Sequence, residues 1–363
     1  MDEHTEYDAL PEKIPEGPPP IPAVAIHEEQ PEFTGNAGEY FRIWLVNIAL
    51  TILTLGIYTP WARVRTRRYF YQHTRVFGEP FDYLADPRKI LLGFLILVVF
   101  YAAFLLLEFI SPILPLLVAV LFVAVLPWLI FKTHRFFAAN SAYRNVTLRF
   151  TGTLREAYVV YLLGYVLTIL TAGLLYPYVV NRRKAYFTSH LNYGSLKGRF
   201  YGSPGKAYKI YLKTIGILLI VALALGALFY VVTAFGMSRE GVGGAIIGVM
   251  ITFYSLIFIC YGMLNVFLHN YLWNHFSLDD RVSFVSTMAV GRYIWIALTN
   301  FLACVLSLFL LLPWAKVRMH RYKLSCLQVA VAGELDDVIS AGREDVGAFG
   351  DSAAEMFDLD FGF

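Results

Sequence analysis

The residues best suited to chemistry in this chain are arginines and tyrosines that recur. Arg65, Arg182 and Arg318 fall at one position of a repeated box, Arg68 and Arg321 at a second, and Tyr69, Tyr186 and Tyr322 at a third. A guanidinium presents a planar fork of donors that suits phosphate or carboxylate, so these residues are candidate anion or lipid-headgroup contacts. Each box also opens on a ring, Trp61, Tyr178 or Trp314. Trp or Tyr at headgroup level with Arg beyond it is the ordinary anchor of a membrane segment. Anchoring explains any one box; recurrence at matched positions adds the case for a shared anion site.

A second constellation is a polar stripe. Asn47, Thr51 and Thr54, followed by Tyr58, are spaced by four, three and four, which puts them on one helical face. Tyr161, Tyr165, Thr168 and Thr171 repeat the stripe, and Asn300, Cys304 and Ser307 repeat it again. Small hydroxylated residues usually join membrane helices by close approach and hydrogen bonds. If the three segments met, the stripes would instead line a polar path. Gly56 with Pro60, Gly173 with Pro177, and Pro313 interrupt these segments as candidate hinges, and recurring Gly/Pro-interrupted segments are a pointer to a transport site.

Other chemistries find little support. His73, His190 and Cys326 share a repeat position, but their spacings are long and no acidic second shell repeats, so interfacial histidines are expected rather than a metal site. Glu108 lies near the end of an apolar segment, and Glu39 and Glu156 lie just before two others, which makes a buried proton relay a weak reading. No Walker box, nucleophile elbow, HExxH or paired-carboxylate signature is present. No catalytic residue and no cofactor is expected, and the chain does not read as an enzyme.

The elements that position these residues are apolar. Mean hydropathy is +0.57, with 58% hydrophobic and 16% charged residues, against about 25% charged in a soluble domain. Apolar segments at roughly 41–61, 90–110, 112–131, 157–180, 210–234, 243–268 and 292–313 are candidate membrane helices. The first of them follows an acidic, proline-rich stretch rather than a cleavable signal. The three cysteines form no CxxC and suggest neither a disulfide framework nor zinc.

Charge is segregated. Residues 1–32 and 334–363 each hold nine acidic and one basic side chain, leaving 28 Lys+Arg against 9 Asp+Glu between them. Basic residues beside membrane helices mark the cytoplasmic side and favour anionic lipid headgroups. They sit beside apolar spans rather than on a free basic domain, so nucleic acid is not an expected partner. The tails read as a disordered Pro-rich segment and an acidic segment, with protein partners as a possible role.

Residues 33–89 and 150–206 align without a gap at an offset of 117, and PWARVRTRRY (60–69) returns as PWAKVRMHRY (313–322). Fixed-offset similarity indicates one structural unit used several times. The expected architecture is an all-α polytopic membrane bundle in the order A-B-C, A-B-C, A, with short extended pieces in its basic loops. Its divisions are tail 1–32, repeat 33–149, repeat 150–283, partial repeat 284–333 and tail 334–363. Each A is about 21 apolar residues, long enough to span, so seven crossings are expected. The charges argue the other way: an A that enters and leaves on one face would leave a single Lys or Arg, Arg239, on the far side.

The stretches FxGxxxEYFRIWLVN, LTILTLGIYTPWARVRTRRYFYQHT and FDYLADPRKIL resemble the YjgN-like family of bacterial inner-membrane proteins, a domain of unknown function, over about residues 33–330. Leu-Tyr before Pro177, and Phe309 in place of Gly56 and Gly173, depart from the pattern. The resemblance implies a multi-pass protein of the bacterial cytoplasmic membrane and brings no catalytic residues. Two functions are consistent with these readings: a transporter or channel for a small solute, anions among the candidates, or a non-enzymatic scaffold that interacts with lipid headgroups.

Overall fold

The structure is a computed structural model that describes residues 26–111, 113–234 and 239–333. After strand β1 (Ile26–Glu29), one order of elements recurs five times: strand, helix, helix, strand. Unit 1 comprises β2 (Glu32–Phe33), α1 (Ala37–Leu53), α2 (Thr59–Gln72) and β3 (Thr74–Val76). Unit 2 comprises β4 (Glu79–Tyr83), α3 (Pro87–Ile110), α4 (Leu114–Ala139) and β5 (Ser141–Tyr143). Unit 3 starts with β6 (Val146–Phe150). Its first helix runs through α5 (Leu154–Ala157), a π-helical stretch (Tyr158–Leu163) and α6 (Gly164–Leu170), before α7 (Tyr176–Ser189) and β7 (Leu191–Tyr193). Unit 4 comprises β8 (Gly198–Phe200), α8 (Pro204–Ala234), α9 (Arg239–Trp273) and β9 (Phe276–Leu278). Unit 5 comprises β10 (Val282–Ser286), α10 (Val290–Leu306), α11 (Leu312–Ser325) and β11 (Leu327–Ala332). The expected A-B-C grouping is thereby redrawn. B and C are the two helices of units 2 and 4, and each A with its basic box is a separate hairpin.

The strands form two antiparallel sheets that together make a ring. One sheet runs β2-β3-β4-β5-β6-β7 and the other β1-β11-β10-β9-β8. A bridge between Tyr193 and Leu196 joins them at one end, and the short step from β1 to β2 along the chain joins them at the other. Turns between units place consecutive residues at positive φ: Phe77 and Gly78, Arg144 and Asn145, Asp279 and Asp280. That is the twist tight antiparallel hairpins need. Val76, Val146, Tyr193, Leu196, Val282, Val329 and Val331 point inward as one cluster. Residues 26–29, expected within the disordered tail, are a strand because Ile26 to Glu29 pair with Ala332 to Val329. The rest of the N-terminal tail and residues 334–363 lie outside the described residues.

Helices pack in the same circular order, each hairpin on the next, with α11 of unit 5 closing against α1 of unit 1. All five hairpins therefore rise from one ring. Among the described residues four helices, those of units 2 and 4, are long and apolar enough to cross a membrane. The hairpins of units 1, 3 and 5 are short; α1, at 17 residues, extends only about 25 Å.

The expectation that A crosses is overturned at its turn. Leu55 and Gly56 in unit 1, Ala172 and Gly173 in unit 3, and Leu308 and Phe309 in unit 5 all take positive φ. Backbone N–H groups of Gly56, Gly173 and Phe309 donate to the carbonyls of Thr51, Thr168 and Cys304 at 2.7, 2.8 and 2.6 Å, closing each first helix. Pro60, Pro177 and Pro313 then stand in the first turn of the returning helix, where a missing N–H costs nothing. Apolar length alone cannot reveal this reversal.

Each unit closes at the ring with the same bonds. Backbone N–H groups of Thr34, Leu84, Thr151, Tyr201 and Thr287 donate to the carbonyls of His73, Asn140, His190, His275 and Cys326 at 2.8–2.9 Å. Above them, the hydroxyls of Tyr69, Tyr186, Tyr271 and Tyr322 donate to the carbonyls of Asn36, Thr153, Ser203 and Ala289 at 2.8–3.0 Å. These bonds tie the end of each returning helix to the start of the outgoing one.

Candidate functional site

At one height in each short hairpin the two helices cross closely, and each hairpin solves the crossing differently. In unit 1 Asn47 Nδ2 reaches the Ala62 carbonyl at 3.4 Å. In unit 5 the matched Asn300 Nδ2 donates to Ala315 O at 3.0 Å, while its Oδ1 accepts from Arg318 Nη1 at 3.0 Å. In unit 3 the matched pair is apolar, Gly164 against Val179, whose Cγ1 would lie 3.0 Å from an added Cβ. Asn47 is 5% exposed, and its Oδ1 has no hydrogen-bond partner among the described residues.

That amide lines a groove of about 420 Å³ between α1 and α2, bounded on one side by Lys316 of α11. Ile48 and Ile52 give it apolar lining, Thr51 and Thr59 hydroxyls, and Arg63 and Arg67 cations. Arg67 is committed: Nη1 donates to the Tyr83 hydroxyl at 2.9 Å. The groove sits at the seam between units 5 and 1, where two short hairpins are neighbours; unit 3 packs between α4 and α8 of the long ones.

The sequence-predicted anion residues are dispersed around the ring. Arg318, besides Asn300, donates to Thr299 Oγ1 at 2.7 Å and lies over the Trp314 ring at 5.1 Å. Arg182 donates to the Tyr178 hydroxyl at 3.0 Å, and Arg65 is exposed. Arg68 and Arg321 reach the next unit, at Tyr83 O (3.3 Å) and Gly35 O (3.0 Å), and so stitch the ring. Tyr69, Tyr186 and Tyr322 spend their hydroxyls on backbone carbonyls. Burial pushes their phenols up, so they remain donors at neutral pH.

The stripe residues are mostly occupied within their own hairpins. Thr51 and Thr168 donate to the carbonyls four residues back, of Asn47 and Gly164, at 2.7 and 2.9 Å. Thr54, Thr171 and Ser307 accept the N–H of Tyr58, Leu175 and Leu311 at 3.0, 3.2 and 3.1 Å and cap the returning helix. His73 and His190 are helix caps, their Nδ1–H donating to Tyr69 O and Tyr186 O at 2.8 Å. Their Nε2 atoms face Glu39 and Glu156 at 3.6 and 3.5 Å.

Sequence reasoning passed over Arg63 and Lys316. The signal was available, because they are the one differing pair inside PWARV and PWAKV, a cation in both. The second repeat has Val180 at that place.

The profile of the family described as Bacterial protein of unknown function (DUF898) matches residues 28–356. The chain belongs to that family. Its match within DUF898 runs from β1 past β11 and so takes in the whole ring. The chain is also similar to proteins called Inner membrane protein YjgN. The Salmonella typhimurium (strain LT2) protein is 35% identical over 133 residues, 36% of this chain and 34% of that protein. The Escherichia coli O157:H7 protein is 36% identical over 126 residues, 34% and 31% of the two chains. That of Escherichia coli (strain K12) is 39% identical over 103 residues, 28% and 25%. The matches thus span about a third or less of the length of these relatives. No solved structure matches the chain. Four membrane-length helices together with inner-membrane relatives make this DUF898 chain a bacterial inner-membrane protein.

Proposed function

We propose that the chain is a non-catalytic, multi-pass scaffold that grips lipid headgroups of the cytoplasmic leaflet. In this reading the β-ring lies at the cytoplasmic surface, the hairpins of units 2 and 4 cross the bilayer, and those of units 1, 3 and 5 enter one leaflet. The observation that carries it is the tip of each short hairpin. Leu55, Leu170 and Leu308 are 94%, 75% and 84% exposed, surfaces that only lipid would cover. Aromatic rings follow the tip of unit 1, where Tyr58 and Trp61 stack at 6.0 Å, and arginines come next along α2. That order fits a hairpin seated at the headgroup boundary. In the long hairpins it also returns every Lys and Arg except Arg239 to the ring half, as the positive-inside rule asks.

Transport is the weaker reading, because the stripes that would line a path make their hydrogen bonds inside separate hairpins. Single cysteines at Ser195, in the turn between units 3 and 4, and at Leu55 test the arrangement. Ser195→Cys should react with an impermeant thiol reagent in inverted vesicles alone, and a spin label at Leu55→Cys should sit in the cytoplasmic half of the bilayer. Labelling of Ser195→Cys from the periplasm would sink the proposal. So would anion flux in liposomes that disappears with Asn47→Ala.

A further inference from the structure

We infer that the seam between units 5 and 1 is a specific site for one anionic phospholipid whose headgroup carries a hydroxyl, a glycerol-phosphate headgroup being the simplest. The inference rests on the headgroup reading above and names the ligand that reading leaves open. Three observations converge on it. Arg63 and Lys316, at matched positions of α2 and α11, both line the groove, and neither has a hydrogen bond or ion pair among the described residues. Two uncommitted cations on one groove ask for an anion, and an Arg fork suits a phosphate.

Asn47 supplies the second observation. Its Oδ1 is buried and unmatched, whereas the same atom of Asn300 receives Arg318. Arg65 occupies the matching position in unit 1 but is exposed. A buried acceptor without a donor is unfavourable, and in unit 5 the protein supplies the donor itself. In unit 1 the donor comes with the ligand, as an O–H beside the phosphate. The third observation is the wall. Ile48 and Ile52 continue the groove toward an apolar tip, so a ligand held at the cations can lay acyl chains along α1. A free phosphate ester has no use for that wall.

The test titrates the full chain in detergent with dioctanoyl lipids, followed by native mass spectrometry. Phosphatidylglycerol and phosphatidylmethanol carry one phosphodiester charge each, and only the first has headgroup hydroxyls. Wild type should prefer phosphatidylglycerol by about tenfold, the scale of one hydrogen bond to a buried acceptor, and should bind phosphatidylcholine more weakly than either. Asn47→Ala should level the two anionic lipids. Arg63→Ala with Lys316→Ala should weaken both by about tenfold or more. Ile48→Trp, which fills the groove and leaves every polar group in place, should weaken all lipids and guards against an Asn47 variant that fails to fold.

Equal binding of phosphatidylglycerol and phosphatidylmethanol to wild type would overturn the inference. Phosphatidylethanolamine binding as tightly would remove the need for an anion and overturn it too. Glycerol phosphate binding as tightly as the lipid would reassign the site to a soluble phosphate ester. If the groove variants change nothing while the protein still favours vesicles with anionic lipid, the site is wrong and the scaffold reading stands. If anionic vesicles are not favoured at all, the reading itself falls.

Discussion

Units 3 and 5 share a hairpin design and differ at one crossing. In unit 3 the helices touch through Gly164 and Val179; in unit 5 they touch through Asn300, whose amide is satisfied on both edges by Ala315 and Arg318. The fold demands a close approach there and accepts either packing or hydrogen bonding as the means. Unit 1 has the Asn, but its matching Arg65 is exposed and makes no bond to the amide, so this crossing is left chemically incomplete. The second difference concerns neighbours. Unit 3 is flanked by long hairpins, whereas units 5 and 1 flank each other, and the seam between them is stitched by polar and titratable groups.

The largest effect that would break this comparison is expected at His320, in that seam. Its ring packs edge-on against Phe33 and Phe70 at 4.9 Å, and Nε2 lies 3.2 Å from Thr74 Oγ1. Burial, with Lys323 nearby, holds its pKa down at about 4 from an ordinary 6.5. Above pH 6.5 both folded and unfolded chains carry a neutral ring and the burial has no pH-linked penalty. Between pH 6.5 and 4 the unfolded chain binds a proton that the folded one refuses, so stability falls as pH drops, by about 3 kcal/mol in all. The matched positions in units 1 and 3 are Arg67 and Lys184, so among the three matched positions only the 5–1 seam carries this histidine. Thermal unfolding in detergent from pH 8 to 4 should show the loss in wild type and a smaller loss in His320→Gln, since other buried histidines remain. A wild-type midpoint that ignores pH over that range would remove His320 from the seam's energetics.

Next in size is the crossing itself. Gly164→Asn places a side chain against Val179 and should destabilise by about 1–3 kcal/mol through overpacking. Adding Val179→Ala rebuilds the Asn–Ala pair of unit 5 and should recover part of that loss. The coupling, read as a double-mutant cycle on unfolding midpoints, should be favourable. Additive losses would mean that the crossings are not interchangeable.

How far the sequence reveals all this depends on which contacts are local. The 117-residue offset, the FTG entry and the Arg/Tyr boxes are visible because units 1 and 3 keep them as contiguous strings. Units 2 and 4 escape notice because they share with the others only the ring junction, such as Leu84 with Asn140 and Tyr201 with His275, two residues separated by a whole hairpin. The turn in segment A was legible as a Gly/Pro interruption. Its sharpness was not, because Leu55, Ala172 and Leu308 adopt positive φ without any residue type that announces it. β1 hid in an acidic tail whose pairing partner, β11, lies at the opposite end of the described chain. Asn47 and Asn300 were both found on the stripe, but only the structure separates the satisfied amide from the orphaned one.

Arg318→Ala would sharpen the contrast between units 5 and 1 by making unit 5 resemble unit 1. It leaves Asn300 Oδ1 without its donor and releases Thr299, which should cost about 1–3 kcal/mol, the range for a buried acceptor losing its partner. Asn300→Ala with Arg318→Ala removes donor and acceptor together and should be milder than Arg318→Ala alone. Unfolding midpoints of the two variants decide it, and a milder Arg318→Ala would show that the Asn300 amide finds another donor.

The smallest effect is expected at the tips, where units 1 and 3 use Gly56 and Gly173 while unit 5 uses Phe309, all at positive φ. Nothing lies within 4 Å of a Cβ built on Gly56, so Gly56→Ala meets no steric obstacle and carries only backbone strain, about 1 kcal/mol. Phe309 already bears that strain, since an aromatic residue at φ 66 is disfavoured in the left-handed region. Phe309→Gly should relieve it, but a glycine also gains freedom in the unfolded chain, which offsets about 0.4–1 kcal/mol. The net change in detergent should therefore be near zero. In bilayers the same substitution removes a ring that is 60% exposed at the tip, and burial of such a ring in lipid is favourable. Phe309→Gly should accordingly leave the detergent midpoint unchanged and weaken vesicle binding, a split that a tip lying outside the bilayer would not produce.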